Sequence, residues 1–331
     1  MPIKTVQIIL ARPRGFCAGV SRAVEAVESL RQIRPKAEKL YVYHQIVHNQ
    51  YIVDYLTKKN IVFVNSLDNI PKTAKQVVFS AHGVSPKVIN QAKLKNLEII
   101  DATCPLVNSV HRTIKNLSDK NYTIFLIGHI SHDEITGSMG WANFASSPNN
   151  KFNKTVKPNI KGSIKVIDSQ KTARNIQIKP TNKLAWVSQT TLSIDDTKAI
   201  VAILNSRFPN ILNPKKSCIC YATQNRQWAV KKLAKEVNSL IVIGSKNSSN
   251  SLRLYEIAKE IVPTWQIDKP NQIKLDMLSS KTGLTAGASV PNILVNKVIE
   301  KIKQIVGKVE IINQANSDMS LEKLKFPSVP L

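Results

Sequence analysis

Acidic side chains are scarce in this sequence: 22 Asp and Glu stand against 47 Lys and Arg in 331 residues, a formal net charge of +25. Such an excess suits counterion release on phosphate polymers. Yet no block of five or more like charges, no basic stretch interleaved with aromatics and no zinc-finger spacing occurs. The lysines are scattered over every segment, which predicts a solvated basic surface that attracts small anions and acidic protein partners, and no nucleic-acid partner. Aromatic residues make up only 6%, but 43% of the chain is hydrophobic, enough to offset ordering entropy and exclude wholesale disorder. Long apolar runs are missing too. Stretches such as 122–127 and 240–243 fall far short of the ~20 residues a membrane helix needs, so no membrane partner is expected. The first ten residues run straight into Ala11-Arg-Pro-Arg14 without a signal peptide's longer apolar core and small-residue cleavage site, which predicts a cytoplasmic location. In a reducing compartment the four cysteines are not a disulfide framework, and a chain of this length does not need one, so they are free, metal-bound or catalytic.

What is present is an alternation of short β-branched runs with helical-period segments, the pattern of an α/β protein with parallel sheets covered by helices. Strands are expected at 6–10, 40–43, 61–64, 76–80, 97–100, 123–127, 164–167, 183–187, 240–243, 264–267 and 281–285. Ser85-Pro86 reads as a helix cap followed by proline in the first turn, and Ser289-Val-Pro291 opens the amphipathic stretch ending near Val306 in a similar way. Ser248-Ser249-Asn250 is a third cap-rich start. The length predicts several packed units, drawn at 1–104, 105–217 and 218–306 with a tail at 307–331. Residues 143–161 are polar and proline-bearing and read as an excursion. In such folds ligands gather at the carboxyl ends of strands, where helices begin.

Three cysteines sit there. Cys17 in Arg14-Gly-Phe-Cys-Ala-Gly-Val20, Cys104 in Asp101-Ala-Thr-Cys-Pro105 and Cys220 in Cys218-Ile-Cys-Tyr-Ala-Thr223 each stand between an expected strand or extended run and a helix start. Free N–H groups and the dipole at helix N-termini favour thiolate over thiol, and thiolates bind metals. Separations of 87 and 116 residues exclude a local metal loop. One cysteine from each unit would have to converge. Small buried hydrophobes, an iron–sulfur cluster with one open iron and a catalytic zinc all fit this placement, and sulfur-only ligation favours iron. Cys218 is not counted as a ligand.

Five of the six histidines, His44, His48, His82, His129 and His132, fall in expected strand-end loops, whereas His111 lies inside a helix and reads as structural. With Ser248, Ser249, Asn250 and Ser289, they offer a cationic, donor-rich cage for phosphate oxygens, although the serines also suit ordinary helix caps. Glu134 beside His132 is a candidate proton donor, and Thr190-Thr191 a candidate relay.

These segments together resemble the family of 4-hydroxy-3-methylbut-2-enyl diphosphate reductases over roughly residues 6–306. The resemblance rests on Pro13-Arg-Gly-Phe-Cys-Ala-Gly-Val20, Val47-His-Asn49, Phe79-Ser-Ala-His-Gly-Val84, Asp101-Ala-Thr-Cys-Pro-Leu106, Gly128-His, Ser188-Gln-Thr-Thr-Leu192, Cys220-Tyr-Ala-Thr223, Gly244-Ser-Lys-Asn-Ser-Ser-Asn-Ser251 and Thr285-Ala-Gly-Ala-Ser289. It implies three similar α/β units in a trefoil around a central 4Fe–4S cluster, with Cys17, Cys104 and Cys220 as cluster ligands. It implies a diphosphate pocket of His48, His82, His132, Ser248, Ser249, Asn250 and Ser289, with Glu134 as proton donor and Thr190 holding the substrate alcohol. The implied reaction is two-electron removal of the allylic hydroxyl, giving isopentenyl and dimethylallyl diphosphate, with electrons from an acidic ferredoxin or flavodoxin. The chain departs from the pattern in its additional Cys218, in Asp133 where a proline is common, and in its Lys- and Asn-rich surface. Asp133 adds a negative charge beside His132.

Overall fold

The computed structural model describes residues 5–35, 37–142, 163–178, 183–214 and 218–314. The expected excursion at 143–161 and the tail beyond 314 lie outside the described residues. In chain order the elements are β1 (Val6–Leu10), α1 (Ala18–Gln32), β2 (Leu40–Tyr43), α2 (Gln50–Thr57), β3 (Ile61–Val64), β4 (Gln76–Phe79), α3 (Pro86–Leu94), β5 (Glu98–Asp101), α4 (Pro105–Asp119), β6 (Tyr122–Ile127) and α5 (Asp133–Met139). They continue with β7 (Ile164–Ile167), α6 (Gln170–Asn175), β8 (Lys183–Ser188), α7 (Ile194–Arg207), α8 (Tyr221–Ala234), β9 (Ser239–Ile243), α9 (Ser249–Lys259), β10 (Thr264–Ile267), β11 (Lys281–Ala286), α10 (Asn292–Val306) and β12 (Val309–Asn313).

The strands form three parallel sheets, ordered β10-β9-β11-β1-β12, β3-β2-β4-β5 and β7-β6-β8. The expected α/β class is borne out. Two compact units contain them. The first takes the described residues of Met1–Cys17, His48–Ile52 and Cys220–Leu331 and holds the five-stranded sheet; the second takes Ala18–Val47 and Val53–Ile219 and holds the other two.

The central strands β4, β6 and β9 are largely apolar and buried because both sheet faces are covered, whereas edge strands such as β5 and β12 keep exposed polar residues. In the first sheet Ile8 and Leu10 point into a core with Leu294, Val298 and Ile302 of α10, whereas Ile9 points the other way, against Val230 and Leu233 of α8 and Leu254 of α9. The three-stranded sheet repeats the arrangement: Phe125 and Ile127 pack with Ile200 and Leu204 of α7, and Ile124 and Leu126 with Val110 and Ile114 of α4. Fully burying each such side chain contributes roughly 1.5–3 kcal/mol. Among the described residues no helix is long and apolar enough to cross a membrane.

Strand order decides where ligands can enter. In each sheet one strand leaves for one neighbour and the chain later returns to its other side: β9 lies between β10 and β11, β6 between β7 and β8, and β2 between β3 and β4. In the first and third sheets the helices that follow the two strands of the switch, α9 and α10 or α5 and α7, pack on opposite faces. A crevice therefore opens at the carboxyl ends of those strands, the usual ligand position in open α/β sheets. The histidine, Glu134, Thr190, Ser248-to-Asn250 and Ser289 loops follow those strands, whereas Cys17 follows β1, Cys104 follows β5 and Cys220 precedes α8.

Two local expectations differ from the structure. Ser289 does not cap α10; Pro291 stands at the cap position without a side-chain bond, and the Ser289 hydroxyl donates to the His48 carbonyl at 3.0 Å. Beyond α10 the chain adds β12, which pairs with β1 along its length and was not among the expected strands.

Candidate active site

Glu134 opens the second unit's site. It stands in the first turn of α5, is only 2% exposed, and faces the end of β8 across the β6/β8 crevice. The Thr190 amide donates to its Oε1 at 2.7 Å and the Thr190 hydroxyl to its Oε2 at 3.0 Å. Burial raises the carboxyl to about 7, against the opposing pull of the two Thr190 bonds. Near neutral pH this group therefore holds or gives a proton, as a general acid requires. His132 caps α5, its Nδ1 accepting from the Glu134 amide at 3.2 Å, which leaves Nε2 to carry the ring proton. Gln189, 1% exposed, braces the crevice by accepting from the His129 amide at 3.3 Å and donating to the Thr191 hydroxyl at 3.0 Å.

Loops from the second sheet meet this group. His82 follows β4, and its ring centroid lies 5.7 Å from that of His132. The Ala81 amide donates to the Ile46 carbonyl at 3.2 Å across the β2/β4 crevice, and the Cys104 amide donates to the Ala81 carbonyl at 3.0 Å. Cys104 stands at the N-cap of α4 with no side-chain capping bond. Its loop is held from both sides: the Asp101 carboxylate accepts from the Thr103 amide at 2.9 Å, and Arg22 of α1 donates to the Thr103 carbonyl at 2.8 Å. Asp133, the charge expected to disturb His132, lies 3.6 Å from His44 Nδ1, an ion pair whenever that ring is protonated.

Behind His82 the packing is tight. His111 is buried, stacks on Trp141 at 5.2 Å between ring centroids, and is pushed down to about 4 by burial, so it stays neutral, the structural part expected of it. Gly83 has φ +74°, and a Cβ there would lie 2.6 Å from His111 Cε1 and 2.9 Å from Thr103 Cγ2. Gly83→Ala thus combines left-handed strain with overpacking beside both the His82 and Cys104 loops. It should cost about 2–4 kcal/mol, measured as a lower urea midpoint at unchanged slope.

In the first unit, Cys17 directly precedes α1, and its amide donates to the Ala288 carbonyl at 3.2 Å, fixing it beside the end of β11. Cys220 caps α8, its sulfur accepting from the Thr223 amide at 3.4 Å. As thiolates, both sulfurs would favour the charged form of the buried Arg226 guanidinium. At the β9/β11 switch Ser248 caps α9, accepting from the Ser251 amide at 3.4 Å, and Ser249 begins the helix. Asn250 is 4% exposed, yet neither its amide nitrogen nor its amide oxygen has a hydrogen-bond partner. Native proteins rarely leave buried amides unpaired, and one at a switch crevice beside serine hydroxyls is what a polar ligand would satisfy. Ser289 holds the His48 carbonyl, so it ties the histidine's loop to the same crevice.

The description "LytB protein" matches residues 8–303. The chain belongs to the LytB family. Among relatives, a Nitrosomonas europaea protein named 4-hydroxy-3-methylbut-2-enyl diphosphate reductase is 42% identical over 96% of this chain and 93% of its own length. A Francisella philomiragia protein of the same name is 45% identical over 97% of this chain and 96% of its own. Of solved structures, the E-1-hydroxy-2-methyl-but-2-enyl-4-diphosphate reductase of Plasmodium falciparum superposes with a TM-score of 0.82 at 32% identity, covering 96% of this chain and 94% of that one. A second, described as the terminal enzyme of the non-mevalonate pathway, gives 0.61 at 30% identity, covering 91% of this chain and all of that one. The family resemblance read from the motifs is borne out.

Within this LytB-family chain the residues expected from sequence divide between the units. Cys17, His48, Ser248, Ser249, Asn250, Ser289 and Cys220 belong to the first; His82, Cys104, His132, Glu134 and Thr190 belong to the second. Three contributors went unnamed at the sequence level. Gln189 had a signal, its place in the Ser188-to-Leu192 string directly after β8. Arg22 and Arg226 had none, since basic residues occur throughout the chain. Cys218 packs against the apolar cluster that includes Ile124 and Leu126, and burial pushes its thiol up against the opposing pull of Ser188, so it stays protonated.

Proposed function

We propose that this chain reduces (E)-4-hydroxy-3-methylbut-2-enyl diphosphate to isopentenyl and dimethylallyl diphosphate, the last step of the methylerythritol phosphate route. The family supports the reaction, and the observation that carries its chemistry is the sealed Glu134 carboxyl clasped by two Thr190 bonds. Removing an allylic hydroxyl as water consumes two electrons and two protons. A carboxyl with a pKa of about 7 is suited to protonate the departing oxygen, and the Thr190 hydroxyl to hold that oxygen and pass the proton.

The other residues serve the diphosphate. His132 offers an Nε2–H and His82 a ring edge close by; Ser248, Ser249 and Asn250 supply hydroxyl and amide groups at the α9 N-terminus, and Ser289 and His48 add a hydroxyl and an imidazole. The unpartnered Asn250 amide fits a ligand oxygen.

Cys17, Cys104 and Cys220 would hold a 4Fe–4S cluster. The fit rests on the all-sulfur donor set and on Arg226, a buried cation whose Nε lacks a partner and whose surrounding ionisable groups are the Cys17 and Cys220 thiols and the Tyr221 phenol. Anionic sulfur there compensates a charge that is otherwise costly to bury. When bound, such a cluster supplies single electrons and one open, Lewis-acidic iron position. The net charge of +25 suits a small acidic ferredoxin or flavodoxin as donor.

Anaerobic purification should give a brown protein that contains iron and sulfide and turns over the hydroxylated diphosphate with a chemical reductant. A colourless, iron-free protein with full activity, or one carrying a single zinc and needing no reductant, would overturn the proposal.

A further inference from the structure

Arg226 sits on the second turn of α8, six residues beyond Cys220, and is 4% exposed. Its Nη1 donates to the Ala222 carbonyl at 2.8 Å within the helix, and its Nη2 to the Gly15 carbonyl at 2.6 Å, two residues before Cys17. The Gly15 amide in turn donates to the Ala286 carbonyl at 3.1 Å, so one guanidinium links the capping turn of Cys220 to the loop of Cys17 at the end of β11. Two carbonyl dipoles satisfy part of the fork, and Nε is left without a partner. Among the described residues no carboxylate pairs with this cation. Burial lowers its pKa, and the groups opposing that shift are the Cys17 and Cys220 thiols and the Tyr221 phenol. An arginine kept only to pin two carbonyls would pay the desolvation of a full charge for a task that neutral donors perform. A fixed cation bonded to the backbone two residues from each of two cysteines, Gly15 before Cys17 and Ala222 after Cys220, does something neutral donors cannot: it stabilises added negative charge in a site of low dielectric.

We propose that Arg226 is a positioning residue for the redox centre. It fixes the Cys17 loop through Gly15, and its permanent positive charge raises the reduction potential of the cluster that Cys17 and Cys220 help to hold. Potentials of thiolate-held clusters respond to net charge, hydrogen bonding and burial around the sulfurs. The inference rests on the cluster reading given above.

The test compares Arg226→Gln and Arg226→Lys with the parent, all reconstituted anaerobically. Iron and sulfide are assayed per chain, and the one-electron potential is measured by redox titration followed by electron paramagnetic resonance. Arg226→Gln should load iron and show an equilibrium for one-electron reduction at least tenfold less favourable, a fall of about 59 mV. Arg226→Lys should recover most of that loss because it keeps the charge. An iron-loaded Arg226→Gln with the parent's potential overturns the proposal. So does an equal fall in Gln and Lys variants, which would assign the residue to carbonyl pinning alone. If the Gln variant loads no iron, normal loading by Lys supports the role of charge, and failure of both overturns it. A parent that binds no iron sinks the cluster reading itself and this inference with it, a result distinct from the others.

Discussion

Glu134→Gln is expected to lower kcat/KM by about 10²–10⁴-fold while leaving the fold intact. The amide is isosteric: its oxygen can accept from the Thr190 amide and its nitrogen can donate to the Thr190 hydroxyl, so both bonds of the clasp survive in altered polarity. What disappears is the transferable proton. The parent's rate should be level in acid and decline tenfold per pH unit above about 7, because the protonated carboxyl is the active form. Stability carries the same signature. The folded carboxyl titrates near 7 and the unfolded one near 4.5, so between those values the native state binds the extra proton and the unfolding free energy falls as pH rises. Above about 7 that loss is complete and the curve flattens. The glutamine variant has no such titration, so relative to the parent it should gain up to a value on the order of 3 kcal/mol at pH 8 and nothing at pH 4. Denaturation at the two pH values, with steady-state kinetics, checks both halves. Undiminished turnover by the variant would remove Glu134 from the chemistry.

Elements set by local pattern were legible in the sequence. Central parallel strands such as Leu40–Tyr43 are mostly buried apolar runs, and Val6–Leu10, Leu40–Tyr43, Ile61–Val64, Ile164–Ile167 and Thr264–Ile267 lie where short β-branched and apolar runs placed them. Ser85 and Ser248 cap their helices as their positions before the first turn require. Features set by distant partners were not legible. β12 has a half-exposed pattern and owes its place to β1, some three hundred residues away in the chain. Ser289 looked like a cap because a proline follows it closely, but the His48 carbonyl claims its hydroxyl. Residues 48–52 join the first unit, where Tyr51 packs against the core that includes α10, a grouping no local pattern encodes. The site divides in the same way. Cys17, Cys104, His82, His132 and Glu134 stand out by type after strands, and Cys220 by its place before a helix, although among the described residues the element it follows is α7 and not the expected strand. Arg226 in a chain of 47 basic residues reads as a solvated face until the Gly15 contact buries it.

Cys104→Ser should abolish iron binding and turnover without unfolding the chain. The loop around Cys104 is held by other groups: the Cys104 amide bonds Ala81, Asp101 holds Thr103, and Arg22 holds the Thr103 carbonyl, while no side-chain bond caps α4. Serine is among the best N-cap residues and would supply the capping oxygen that cysteine does not, so helix stability should be unchanged or rise by up to about 1 kcal/mol. Cys220→Ser should behave alike, since its sulfur accepts from the Thr223 amide and a hydroxyl can take over that bond. Cys218→Ser supplies the contrast. That thiol is pushed up by burial despite its bonds with Ser188, so it is a protonated, poor ligand, and its loss should leave iron content and turnover within twofold of the parent. The measurement is iron and sulfide per chain alongside circular dichroism of each variant. Folded, iron-free Cys104→Ser and Cys220→Ser beside brown, active Cys218→Ser would separate ligation from folding. Full iron in Cys104→Ser, or its loss in Cys218→Ser, would move the metal centre elsewhere and leave the thiolate argument without an object.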